Sequence, residues 1–195
     1  MEQAAAGGDA AVVQAIFDET IAVHRRTRDG LLPRVIEAAS AIREALGAGG
    51  KLLVFGNGGS AADAQHMATE LVGRFMRERA ALAAVALTAD TSVLTSIGND
   101  YGYERVFVRQ IEALGRPEDV ALGISTSGGS ANVLRALETA NRLGLRTIAL
   151  TGKDGGAIGK AASIHINVAD MSTPRVQEVH RTVIHAMCEL IERNV

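Results

Sequence analysis

Residues 51–60 read KLLVFGNGGS. The apolar run Leu52 to Phe55 is too short for a helix and predicts a fully buried parallel strand. It runs into a Gly-rich loop. Gly56, Gly58 and Gly59 permit positive φ values and close backbone approach to an anion, and Ser60 is placed to cap the next helix and offer its hydroxyl. Within that helix His66 and Glu70 stand four residues apart, which sets them on one face about 40° apart. Such a pair is either surface stabilisation of the helix or an acid/base or metal pair at the C-terminal edge of a strand.

Outward from this stretch, strand and helix patterns alternate. After Leu52 to Phe55 and a helix from Ser60 to Gly73 come a strand at Ala83 to Leu87 and helices at Asp90 to Ile97 and Glu104 to Leu114. A strand at Val120 to Ile124 precedes a helix from Ser130 to Leu143. Arg146 to Leu150 precedes a short Gly-interrupted helix near residues 156–162, and Ile164 to Val168 precedes a final helix from Pro174 to Arg193. Five short apolar strands alternating with helices predict an α/β fold with a doubly wound, five-stranded parallel sheet flanked by helices. Ligands of such sheets sit beyond the carboxyl ends of the strands, where the strand order switches. Upstream, Met1 to Gly8 is small, Gly-rich and expected to fray. A first helix is predicted from Asp9, whose carboxylate could cap it, to Arg28. Asp29-Gly30 is read as a break, and a second helix carries Val35, Ile36, Ala39, Ile42 and Leu46 as far as the Gly-Ala-Gly-Gly of residues 47–50. The whole chain is read as one domain, with a helical extension at 9–48 that could wrap a neighbouring subunit and an α/β core at 51–193.

Composition narrows the function classes. The chain has 195 residues, 47% of them hydrophobic, enough for one sizeable core. A formal charge of −2 and 3% aromatic residues provide neither a basic face nor a stacking platform, which argues against nucleic acid and for a small polar ligand. The single cysteine, Cys188, rules out an intramolecular disulfide and reads as a buried core thiol. Neither a signal-peptide pattern nor an apolar run of membrane-spanning length is present, so a cytoplasmic location is expected.

The strongest ligand signal is Ser125-Thr126-Ser127-Gly128-Gly129-Ser130, four hydroxyls and two flexible residues between a strand and a helix N-terminus. That combination suits a phosphate monoester held by hydroxyls, backbone N–H groups and the helix dipole; no Lys follows as in a nucleotide P-loop. Neither Gly-rich loop completes the dinucleotide fingerprint GxGxxG, so no nucleotide cofactor is expected. On the last helix, Gln177 and His185 lie about 80° apart around the axis but about 12 Å apart along it, so they must lean together to share a ligand, or the cluster is shared between subunits. His180 lies about 140° from His185 and reads as structural, with Glu178 beside it. His24 and His165 suggest packing or surface roles. In IGNDYGY, residues 97–103, Asn99 and Asp100 suit a polyhydroxylated ligand, while Gly98-Asn99 serves equally as a helix C-cap. Lys153, in the post-strand loop of residues 151–156, reads first as a turn residue.

The stretches GNGGSAADAQHMATEL, SIGNDYGY, GISTSGGSANVLRAL, LTGKDGG and RVQEVHRTVIH, in this order, resemble the sugar-isomerase (SIS) family over about residues 10–193. The resemblance implies an aldose–ketose isomerase that converts D-sedoheptulose 7-phosphate to D-glycero-D-manno-heptose 7-phosphate, the entry to nucleotide-activated heptose for surface glycans. It implies Glu70 as catalytic base and His185 as catalytic acid, zinc held by His66, Glu70, Gln177 and His185, and a homotetramer with sites at subunit contacts. Asn57, Gly58, Gly59, Glu70, Asn99, Asp100, Ser125, Thr126, Ser127, Ser130 and Gln177 correspond to substrate contacts. The chain departs from the family at Gly129, where Asn or Lys is common, and at Thr173-Pro174, where some relatives carry an acidic residue. Two other readings use the same scaffold. One is a non-catalytic relative that binds the replication initiator, whose members usually lack the Glu and His matching Glu70 and His185; the other is a sugar-phosphate-binding regulatory module.

Overall fold

Five short runs become strands; the three central ones bury both of their faces, while the edge runs at 84–86 and 164–168 stay partly open. In the computed structural model, which describes residues 8–193, the five are β1 (Leu52–Gly56), β2 (Ala84–Ala86), β3 (Val120–Ser125), β4 (Arg146–Gly152) and β5 (Ile164–Val168). All neighbours pair in parallel, in the order β2-β1-β3-β4-β5. The frayed start expected for Met1 to Gly8 lies, Gly8 apart, outside the described residues.

Period-two alternation divides the core into two layers. Leu52 and Val54 of β1, with Leu122, Ile148 and Ile166, point to the layer formed by α1 (Asp9–Gly47), α2 (Gly59–Val72) and α7 (Thr173–Glu192). Leu53 and Phe55, with Ala121 and Ala149, point to the other face. There they meet residues of α4 (Val108–Leu114), α5 (Ala131–Arg142) and α6 (Gly156–Ala161). Phe55 stacks on Phe107 with ring centroids 5.3 Å apart, and both are fully buried. The chain leaves β1 into α2 on one face and β3 into α5 on the other, so the switch in strand order falls between the carboxyl ends of β1 and β3. Both Gly-rich loops emerge there.

Four local expectations are corrected. The two leading helices are one: α1 is continuous for 39 residues through Asp29-Gly30 and with Pro33 inside it. Val23, Thr27, Leu31, Val35, Ala38 and Ile42 form a buried stripe along it, and this packing outweighs the local cost of Gly and Pro. Its N-cap is Gly8, with no side-chain cap bond, so Asp9 is the first helical residue and not the cap. Likewise α2 begins at Gly59 after N-cap Gly58, φ 57°, and Ser60 is buried in the first turn instead of capping it. Finally, α3 (Thr91–Tyr101) is capped by Asp90, which accepts from the Val93 amide at 2.9 Å. It runs through Asn99 and Asp100 to Gly102, where φ is 84°.

Candidate active site

The loop after β1 is fixed by an amide pair. Asn57 Nδ2 donates to Asn132 Oδ1 and Asn132 Nδ2 donates to Asn57 Oδ1, both at 2.9 Å, and the Tyr103 hydroxyl donates to Asn57 Oδ1 at 3.1 Å. Asn132, near the start of α5, is buried, so this pair ties the first Gly-rich loop to the helix that follows the second. The side-chain amide of Asn57 is thus already engaged within the chain, while Gly58 and Gly59 are exposed at the head of α2.

In the loop after β3, Ser125 Oγ lies 3.0 Å from Ser130 Oγ and 3.4 Å from Ser127 Oγ, and Ser127 Oγ accepts from the Gly129 amide at 3.2 Å. Ser130 is the N-cap of α5 yet makes no side-chain cap bond, so its hydroxyl faces its neighbours and not the helix end. Three hydroxyls therefore converge where the positive end of a helix dipole emerges, an arrangement suited to a dianionic phosphate. Gly128, φ 68°, lies so close to the Gly155–Gly156 backbone that an added Cβ would stand 2.8 Å from the Gly156 nitrogen. The Ile158 amide donates to the Gly128 carbonyl at 3.1 Å, so the neighbouring loop clamps this one. The Thr126 carbonyl faces Gly152 at the end of β4.

Two turns into α2, His66 Nε2 lies 3.3 Å from Glu70 Oε1 and 2.8 Å from His185 Nε2 on α7. Phe75 lies against His185 with ring centroids 5.6 Å apart. All three polar side chains are half-buried. Burial, then the Arg181 guanidinium, push the His66 imidazole below its usual range, partly offset by Glu70. Arg181 itself pairs with the buried Asp63 at 2.5 Å. One ligand atom from each of His66, Glu70 and His185 lies within 4.8 Å of the others. Two imidazole nitrogens and a carboxylate oxygen form a donor set that zinc accepts, and tetrahedral ligation would need them roughly 3.3 Å apart. The 2.8 Å contact between two Nε2 atoms requires a proton or a cation between their lone pairs, and a few tenths of an ångström of opening admits the latter. The residues fit the metal.

Gln177 lies elsewhere on the same helix. An added Cβ on Gly59 would meet its Nε2 and stand 3.0 Å from its Cδ, so the amide rests on the head of α2. Gly59, Asp63, Gln177, Arg181 and Thr182, with His24, line a cavity of about 630 Å³ between α1, α2 and α7. Asn99 and Asp100 are exposed in the last turns of α3, where Asn99 Nδ2 donates to Asp100 Oδ1 at 2.8 Å. His180 is fully buried, 2.9 Å from the Thr151 carbonyl, and burial depresses it to about 4, as expected of a structural histidine. The two histidines read as packing or surface residues have partners. His24 bonds Thr20 O and Thr182 Oγ1, and His165 bonds Thr151 Oγ1 at 2.7 Å. Lys153 sits at a turn with φ 55°. Asn132, Tyr103, Phe75 and Arg181 escaped the sequence reading. Asn132 and Arg181 sit within stretches already singled out, but nothing local marks their partners, which lie 75 and 118 positions away in the chain.

The SIS domain profile matches residues 5–152. A phosphoheptose isomerase from Geotalea daltonii is 58% identical over 165 residues, covering 85% of this chain and 86% of that protein. The solved phosphoheptose isomerase GmhA from Neisseria gonorrhoeae superposes with a TM-score of 0.88 at 48% identity, over 93% of this chain and 97% of that one. The phosphoheptose isomerase from Francisella tularensis superposes at 0.92 with 37% identity, over 96% and 100%. With its sheet order, its two Gly-rich loops at the switch point and these likenesses, the chain belongs to the SIS domain family, among the phosphoheptose isomerases.

Proposed function

We infer that this chain, acting as a single SIS domain, interconverts D-sedoheptulose 7-phosphate and D-glycero-D-manno-heptose 7-phosphate, the first step toward nucleotide-activated heptose. The observation that carries this reading is the convergence of Glu70 with His185 and His66, on two helices of the layer beside the switch point. An aldose and a ketose interconvert when a base moves a proton between C1 and C2. Glu70 takes the C1 proton while His185 protonates the C2 oxygen, giving an enediol. Glu70 then returns its proton to C2 as the O1 proton leaves to His185, giving the aldehyde. Ser125, Thr126, Ser127 and Ser130 hold the phosphate at the head of α5. Asn57, Gly58, Gly59, Asn99, Asp100 and Gln177 orient the polyol. Zinc held by His66, Glu70, His185 and Gln177 would supply Lewis-acid polarisation of the carbonyl.

Because Gln177 rests on Gly59, its amide joins the histidine cluster most readily if the site is completed across a subunit contact. An exposed apolar face on the first half of α1, with Val13, Phe17 and Ile21 between 46% and 66% exposed, supports a homotetramer. No helix among the described residues is long and apolar enough to cross a membrane, and a cytoplasmic location accords with a phosphosugar substrate.

The test is Glu70→Gln, which keeps shape and hydrogen bonding but removes the base. Loss of roughly 10²–10⁴-fold in kcat with unchanged folding is expected. Substantial residual isomerisation in a folded variant would sink the assignment.

A further inference from the structure

The ends of the two helices that carry the reacting groups are joined by a buried charge pair to which the isomerase resemblance assigns no role. Glu192, in the last turn of α7, accepts hydrogen bonds from three successive backbone amides, Phe75 at 3.0 Å, Met76 at 2.8 Å and Arg77 at 2.9 Å. Burial alone would raise this carboxyl, but the amides of Met76, Phe75 and Arg77, with Arg79, outweigh it and hold the group below its usual range. Arg79 has a side chain only 8% exposed and lies against it, Nε 3.3 Å from Glu192 Oε1, though too poorly angled for a hydrogen bond. Its guanidinium instead caps the end of α2. Nη2 donates to the Glu70 carbonyl at 2.8 Å, and Nη1 donates to Leu71 at 2.9 Å and Ala80 at 3.0 Å. Glu192 and His185 are seven residues apart, two helical turns, so they share one face of α7. Phe75, whose amide Glu192 holds, is the residue whose ring lies on His185.

The pair therefore grips three things at once: the backbone of Glu70, the backbone of the residue whose ring flanks His185, and the end of the helix that carries His185. We propose that Arg79 and Glu192 are positioning residues that set the separation of Glu70 and His185 by locking the 73–80 segment between the ends of α2 and α7. The proposal rests on the assignment of Glu70 and His185 as base and acid. A shift of about 1 Å between such groups costs on the order of 10²-fold in rate without weakening binding in proportion.

The test uses the full chain, loaded with zinc, as wild type, Glu192→Gln, Arg79→Lys and the double variant. Asp119→Asn serves as comparator, since it breaks the buried Lys51–Asp119 pair, 2.6 Å, whose carboxylate bonds Lys51 and Arg116 between the starts of β1 and β3. Two quantities are read: kcat and KM with the heptulose phosphate, and the ring-proton shifts of His185 by NMR, which report its stacking on Phe75. The expected result is a kcat lower by about 10- to 100-fold with KM within about threefold. The His185 resonance should move, and the double variant should be no worse than the worse single one, because both act through one segment. Asp119→Asn should lose thermal stability but keep kcat and the His185 shift. Retained kcat with an unmoved His185 signal in folded Glu192→Gln overturns the proposal, as does an equal kcat loss in Asp119→Asn. If Arg79→Lys does not fold, Glu192→Gln alone decides. Wild type that turns nothing over overturns the isomerase reading instead, and the His185 shift then still decides whether the pair positions that ring.

Discussion

Gly59→Ala should make the protein more stable and a worse enzyme. Gly59 is the first residue of α2, exposed, and its φ is not in the positive range, so alanine fits the backbone. Reduced freedom of the unfolded chain should stabilise the fold by about 0.4–1 kcal/mol. At a urea slope of roughly 2 kcal/mol/M this raises the midpoint by about 0.2–0.5 M. The new methyl group, however, meets only the far end of one flexible side chain, the Gln177 amide, which must retreat by about 1 Å to reach ordinary contact. Gln177 is half-buried and can swing, so the fold does not suffer. A positioning group displaced that far should lower kcat/KM by on the order of 10²-fold. Urea unfolding and steady-state isomerisation, with Gln177→Ala beside it, provide the assay. Gln177→Ala should reproduce the kinetic loss without the gain in stability. A lowered midpoint would mean that the methyl strikes something unyielding. Unchanged kinetics in both variants would remove Gln177 from the site and refute the reasoning.

Other consequences follow from burial and ligation. His180 is held near 4 by burial against an ordinary value of 6.5, so its neutral form stabilises the fold fully above pH 6.5. That contribution, on the order of 3 kcal/mol, drains away as pH falls from 6.5 towards 4. His180→Gln should flatten the urea midpoint across this window, and an unchanged slope would contradict the burial argument. Cys188, fully buried and pushed up to about 12, should resist thiol reagents until the protein unfolds. Labelling of the native protein as fast as a free thiol would show that its helix opens. Exhaustive chelation should lower kcat, and zinc should restore it. Full activity in protein shown metal-free by elemental analysis would remove zinc from the account.

The three central strands were legible because each is a short apolar run leading into glycine or a hydroxyl cluster, and β5, with apolar and polar residues alternating, spans Ile164–Val168 as read. The loop after β3 was legible as a glycine-bearing turn, since Gly128 lies against the Gly155–Gly156 backbone where a Cβ has no room. What misled was local chemistry overruled at a distance. Asp29-Gly30 and Pro33 look like a stop, but the buried stripe from Val23 to Ile42 on α1 keeps the helix whole. Gly98-Asn99 looks like a cap, but Gly102 takes that role one turn later. The Asn57–Asn132 pair and the Arg79–Glu192 clamp join residues 75 and 113 positions apart, and no local pattern in one partner specifies the other.

The central claim is that Glu70 and His185 move a proton between C1 and C2 of a seven-carbon sugar phosphate. Proton NMR of the purified protein with sedoheptulose 7-phosphate in D₂O tests it most directly, with and without zinc. The account expects an aldose anomeric signal that is lost in Glu70→Gln and His185→Ala. Tight binding of the sugar phosphate with neither conversion nor deuterium exchange at C1 would contradict it, leaving the phosphate loop as a binding site alone.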